Sequence, residues 1–78
     1  MTTLEIAARV DAKGLACPMP IVKTAQAMKG LASGQLLELL ATDPGSTKDL
    51  EAWSKSTGNP LVESSVDGAV FRFVLRKK

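Results

Sequence analysis

Gly14-Leu15-Ala16-Cys17-Pro18-Met19-Pro20 is the stretch whose reading decides the fold. Proline holds φ fixed and lacks an N–H, so two prolines at one and three residues past a cysteine fit a helix only in its first turn. They date the start of a helix and make Cys17 its N-cap. The sulfur then stands near the positive end of the helix macrodipole and close to main-chain donors that have no intrahelical acceptor, where a thiolate is favoured. Gly14 lets the preceding loop curl, and the loop presents the thiol at an edge of the domain.

Outward from that point the chain reads β-α-β-α-β-β. Before the loop, Leu4 to Val10 alternates Ile6, Ala8 and Val10 against Glu5, Ala7 and Arg9, the period of a half-buried strand. After it, Ile21, Val22, Ala25 and Met28 form one apolar stripe, with Lys23 and Gln26 away from it, on a helix ending near Gly30. Gln35 to Thr42 is an apolar run between Gly34 and Asp43-Pro44-Gly45, short enough for a strand. Ser46 with Asp49 resembles a capping box, opening a second helix anchored by Leu50 and chiefly Trp53 and ended by Gly58. Pro60 to Val66 and Ala69 to Arg76 then read as strands joined by an Asp67-Gly68 hairpin turn.

Two helices in so short a chain cannot cover both faces of four strands, so the expected fold class is α+β. It is a two-layer α/β sandwich with both helices on one face of a four-stranded mixed sheet. The strands joined through the first helix are parallel, and the hairpin is antiparallel. Glu5, Arg9, Glu38, Glu63, Arg72 and Arg76 fall out of phase with Ile6, Val10, Leu37, Leu39, Phe71 and Phe73, which predicts a wet face with cross-strand ion pairs. Leu36 and Leu40 share the Glu38 phase. A contact surface, a shifted register and an overhanging loop each account for them.

Seventy-eight residues make a single domain, residues 1–78, that buries only about 60% of the surface its unfolded chain exposes. With 45% hydrophobic and 23% charged residues and no low-complexity tract, the composition is that of a soluble globular protein. One cysteine excludes an internal disulfide, and the absence of histidine removes the usual transition-metal ligands, so no metal site is expected. No apolar stretch reaches the roughly 20 residues that span a bilayer, and Met1-Thr2-Thr3-Leu4-Glu5 lacks the features of a signal peptide. A free thiol without an export signal points to the cytoplasm. The net charge of +2 is too small to argue for nucleic acid, and Arg76-Lys77-Lys78 reads as a solvated end.

The chemistry rests on one sulfur. A lone cysteine can be a small core hydrophobe, but an N-cap cannot readily bury itself under its own helix. Histidine-assisted acyl transfer has no base here, and a dithiol pair fails because Pro20 occupies the second position of a would-be C-x-x-C. What remains is chemistry for which a thiolate suffices: carrying sulfur as a persulfide, forming an intermolecular disulfide, or sensing oxidants. Lys23 lies roughly 9 Å along the helix axis and is no direct partner. Lys13, on the loop, can come nearer. Single-strand RNA binding on the sheet needs aromatic platforms, and Phe71 and Phe73 take the core phase.

Asp11 to Pro20, Asp43-Pro44 after the second strand and Asp67-Gly68 before the last together resemble the TusA family, also called SirA-like, over nearly the whole chain. Its Cys-Pro-x-Pro element is matched at Cys17, Pro18 and Pro20, with Met19 at the variable position. The resemblance implies a fold like the C-terminal domain of bacterial translation initiation factor 3. It also implies a sulfurtransferase that works as a protein-to-protein persulfide carrier. Cys17 would be the catalytic residue, presented by Gly14, Pro18 and Pro20. On the residues themselves, Met19 beside the sulfur and Lys13 on the loop suit a partner surface, and a solvent-facing methionine and a solvated lysine account for them equally. Sulfane sulfur would come from a cysteine desulfurase or rhodanese and pass to an acceptor protein, in tRNA thiolation, molybdenum-cofactor assembly or sulfur oxidation. No cofactor is implied beyond the transient persulfide, and neither a membrane nor direct nucleic-acid contact. A redox-sensing regulator using Cys17 for intermolecular disulfides is the alternative, with an RNA-binding module behind it.

Overall fold

The strand expected in the run Leu36-Leu37-Glu38-Leu39-Leu40-Ala41 is the second of the sheet, and everything else is arranged around it. A computed structural model describes residues 6–16 and 18–78. In chain order the elements are β1 (Ile6–Ala12), α1 (Met19–Met28), β2 (Leu36–Ala41), α2 (Ser46–Thr57), β3 (Leu61–Asp67) and β4 (Val70–Arg76). The sheet order is β1-β2-β4-β3, with β1 parallel to β2 and the other pairs antiparallel. The mixed sheet and β-α-β-α-β-β order are as the sequence predicts. The proposed strand start at Leu4 and the place of Glu5 lie outside the described residues.

β2 alternates because one side of it meets the helices. Leu37, Leu39 and Ala41 are fully buried, opposite Ala8, Val10 and Ala12 of β1 and Leu75, Phe73 and Phe71 of β4. They join Met28 of α1 and Leu50 of α2 in one cluster, so both helices pack on this single face. Trp53 is only half-buried at its margin, so Leu50, at 0% exposure, is the anchor of α2 in place of the expected Trp53.

The other face carries an ion lattice. Glu38 accepts from Arg9 at 3.2 Å and from Arg72 at 2.6 Å, and Arg72 also reaches Glu63. The hydrogen bond to Glu38 is the main cause that raises the Arg72 pKa above its ordinary value, against the opposing effect of burial. This face is drier than the alternation suggests. Val74 is fully buried although it pairs with Glu38 and Glu63, and Leu36 and Leu40 are half-buried opposite Arg76 and Arg72. The register is unshifted within β2–β4, so both leucines lie on the ion face, between long charged side chains whose stems cover apolar surface.

Local chemistry departs from expectation in three places. α1 buries Pro20, Thr24 and Met28, while Val22 is 39% exposed, so the buried stripe is rotated from the purely apolar one. Thr24 can lie inside because its hydroxyl donates to the Pro20 carbonyl at 2.8 Å. At α2 no capping box forms: Gly45 is the N-cap, and Ser46 is within the helix, its Oγ buried with no hydrogen-bond partner among the described residues. The turn through Pro44 brings Ser46 N–H to the Asp43 carbonyl at 3.0 Å, so the helix starts a residue early. In the hairpin, Asp67 is still paired with Val70, and the two loop residues are Gly68-Ala69. Gly68 has φ +62° while Ala69 does not have positive φ, the pattern of a II′ turn with glycine first.

Leu50→Ala is expected to lower the unfolding free energy by about 2–5 kcal/mol, because the cavity is enclosed on all sides. Val66→Ala, at a side chain 63% exposed, is expected to change it by less than ~0.5 kcal/mol. Urea denaturation of the two variants checks the contrast.

Candidate functional site

Parallel strands end at the same edge of a sheet, so the loop after β1 and the loop after β2 are neighbours. Ala12 pairs with Ala41 at that edge, and the two helices begin there. Cys17 itself lies outside the described residues. Of the described residues next to it in the chain, Ala16 and Pro18 are exposed, as are Lys13 and Gly14, and Met19 is 42% exposed. Leu15 points the other way and packs on the core.

The loop is built from short-range hydrogen bonds and one long one. Leu15 N–H donates to the Ala12 carbonyl at 3.2 Å, closing a turn in which Gly14 takes φ +81°, as the third position of a type II turn requires. Lys13 N–H donates to Asp11 Oδ1 at 3.0 Å. Gly14 N–H donates to Thr42 Oγ1, on the neighbouring loop, at 2.8 Å. A Cβ at position 14 would meet nothing within 4 Å, so glycine is needed there for its backbone conformation and not for space.

α1 starts one residue later than the N-cap reading places it. Pro18, at φ −98° and ψ 15°, is the N-cap, and no side chain caps the helix. Met19 N–H donates to the Ala16 carbonyl at 2.9 Å, and Val22 N–H to that of Pro18 at 3.1 Å. The prolines that mark the helix start also lack N–H groups, and the Met19 N–H is already engaged. The supply of free main-chain donors expected beside the sulfur is therefore smaller than for an ordinary helix start. Pro20 differs from Pro18 in kind: its side chain is fully buried, so it belongs to the core as well as to the first turn.

Lys23 is exposed and lines a shallow groove between β1 and α1 with Arg9, Val10, Asp11, Gln26 and Ala27. The basic tail is elsewhere. Arg76 pairs with Leu36, where β2 begins, so Arg76-Lys77-Lys78 stands at the end of the sheet opposite the Cys17 loop. Its main chain is tied down, with Lys77 N–H on the Gln35 carbonyl and Lys78 N–H on Asn59 Oδ1, both at 2.8 Å. Phe73 is buried and Phe71 packs against the core, so neither offers a stacking platform. Among the described residues no group of three or more potential ligands could hold a metal ion, and no helix is long and apolar enough to cross a membrane.

The sequence profile described as Sulfurtransferase TusA matches residues 8–77, which takes in the whole of this loop and both helices. The chain belongs to the TusA family. It is 59% identical over 68 residues to the candidate sulfur carrier protein YrkF of Bacillus subtilis, covering 87% of this chain but 37% of that protein's length. It is 47% identical over 68 residues to the sulfur carrier protein TusA of Allochromatium vinosum, covering 87% of this chain and 90% of that one. The crystal structure of the SirA-like protein of Desulfitobacterium hafniense superposes with a TM-score of 0.78 at 22% identity, over 88% of this chain and 95% of that one, and shows the shared fold. The matched range takes in the edge where the topology gathers both helix starts.

Sequence reading did not single out Thr42, Asp11 or Val22 at this site. Asp11 is the penultimate residue of β1 and Thr42 follows the last residue of β2, both ordinary polar residues in sequence, and nothing local marks a hydroxyl whose partner is 28 residues away. The separate roles of the prolines are measurable. Pro20→Ala is expected to cost about 1–3 kcal/mol of stability, through lost burial and a freer unfolded chain, and Pro18→Ala less than ~1 kcal/mol. Guanidinium denaturation of both variants distinguishes them.

Proposed function

We propose that the chain is a sulfur carrier that accepts sulfane sulfur on Cys17 as a persulfide and passes it to another protein. The observation that carries this reading is a family motif on a loop whose described residues beside the cysteine, Ala16, Pro18 and Met19, are all exposed. Sulfur carriers named as such among its relatives support it. The Cys17 thiolate attacks the outer sulfur of a persulfide on the donor. The donor's S–S bond breaks, the donor leaves as a thiolate, and a new S–S bond forms on Cys17, with no net oxidation. Transfer repeats the exchange in the other direction: an acceptor thiolate takes the outer sulfur and the Cys17 thiolate is regenerated. The step needs no histidine, metal or cofactor, since its nucleophile and leaving group are both thiolates.

The donor is a protein that itself forms a persulfide, a cysteine desulfurase or a rhodanese, and the setting is the cytoplasm, where thiols stay reduced. Docking falls to Met19 and Val22, exposed three residues apart on the same side of α1, with basic Lys13 and Lys23 nearby and no acidic residue in that helix. Such a surface suits a partner with an apolar seat and an acidic rim.

Incubation with a cysteine desulfurase and free cysteine is expected to add one sulfur, ~32 Da, to the protein and none to Cys17→Ser. No adduct with several desulfurases and rhodaneses, alongside a reversible oxidised dimer, would favour the regulator reading instead. Met19→Ala combined with Val22→Ala is expected to slow sulfur uptake about tenfold while alkylation of Cys17 by iodoacetamide stays at the parent rate. Transfer kinetics by mass spectrometry, run beside alkylation kinetics, test that pair.

A further inference from the structure

We infer that Thr42 is the positioning residue of the thiol-bearing loop: its hydroxyl, accepting from the Gly14 N–H, latches that loop to the segment that opens α2. Three consecutive amides lead into the motif. Lys13 and Leu15 find acceptors two and three residues back, at Asp11 and Ala12. Those bonds fold the turn back onto the end of β1, the strand it leaves. The Met19 and Val22 bonds, to Ala16 and Pro18, are equally local. Gly14 N–H is left over by a turn closed from residue 15 back to residue 12, and it points away from the local chain to Thr42 at 2.8 Å. Among the hydrogen bonds of the described residues 13–16 and 18, it is the one that reaches beyond β1 and α1, the two elements the loop connects. Leu15 supplies the other tie, by packing on the core. A packed side chain sets depth but leaves the loop free to rock, whereas a directional bond from the positive-φ glycine fixes its orientation.

Thr42 follows the last residue of β2 and precedes Asp43-Pro44-Gly45, the turn that starts α2. Because β2 is the central strand partner of both β1 and β4, its end is among the most firmly held points near the motif. Thr42 thus links the end of β2 to Gly14, and with it holds the orientation of the described residues that lead into the motif. Only the consequence for sulfur transfer rests on the carrier reading above.

The test uses Thr42→Val, which keeps the shape and removes the hydroxyl, and Thr42→Ser, which keeps the hydroxyl. In Thr42→Val the Gly14 amide is expected to exchange with deuterium at least about fivefold faster, as loss of one hydrogen bond predicts. The pH profile of Cys17 alkylation by iodoacetamide is expected to shift, and Thr42→Ser to restore both. Should Thr42→Val not fold by circular dichroism, Thr42→Ala takes its place with the same expectations. Unchanged Gly14 exchange with an unchanged alkylation profile would overturn the latch, as would a serine variant that behaves like the valine one. Failure of the wild-type protein to accept sulfur would count against the carrier reading alone, since amide exchange and alkylation are read without any donor.

Discussion

The pairing of β2 on both sides is the constraint from which the rest of the molecule follows. Because β1 runs parallel to it, the chain must cross back through a helix, and the loops after both strands end up at one edge. Because β4 is antiparallel in register, Leu37, Leu39 and Ala41 meet Leu75, Phe73 and Phe71 on the helix side, while Glu38 is left on the other. A one-residue slip would send three core residues to the ion face and bring Glu38 into the core, so burial and charge both hold the register.

Glu38 is the polar counterpart of that core. Its side chain is only 12% exposed, and two arginines from different strands satisfy it. Isolated surface ion pairs contribute little, but a carboxylate shared by flanking strands and flanked in turn by buried Val74 belongs to a connected layer. The sheet is therefore apolar toward the helices and closed over by its own long side chains on the opposite face. This accounts for leucines at the Glu38 phase without any partner having to cover them.

At the edge where both helices begin, the same topology brings together what the chain keeps apart. Gly14 and Thr42 are separated by 28 residues and joined by one hydrogen bond. The prolines of the motif divide their work: Pro18 caps at the surface, while Pro20 is buried and receives the Thr24 hydroxyl on its carbonyl. A motif that looks like a local stiffener is thus half anchored in the core. The price of two prolines is a first turn poor in N–H donors, so this helix start offers fewer free main-chain groups than an ordinary one.

From the residues alone one could determine the order of elements, the mixed sheet, the ion-paired face and the cysteine motif. Each of these rests on periods of two or 3.6, on proline and glycine geometry, or on residue chemistry, all of which act over a few positions. Three-dimensional packing alone decided the buried stripe of α1, since Thr24 is polar until the Pro20 carbonyl accepts its hydroxyl. It decided the rank of Leu50 over Trp53, because a large ring at the margin of a small core stays partly in solvent. It also decided the role of Thr42, whose hydroxyl acquires a partner only once β1 and β2 lie side by side. Sequence periodicity records which way a side chain faces, and what it meets there depends on the strand that folding places beside it.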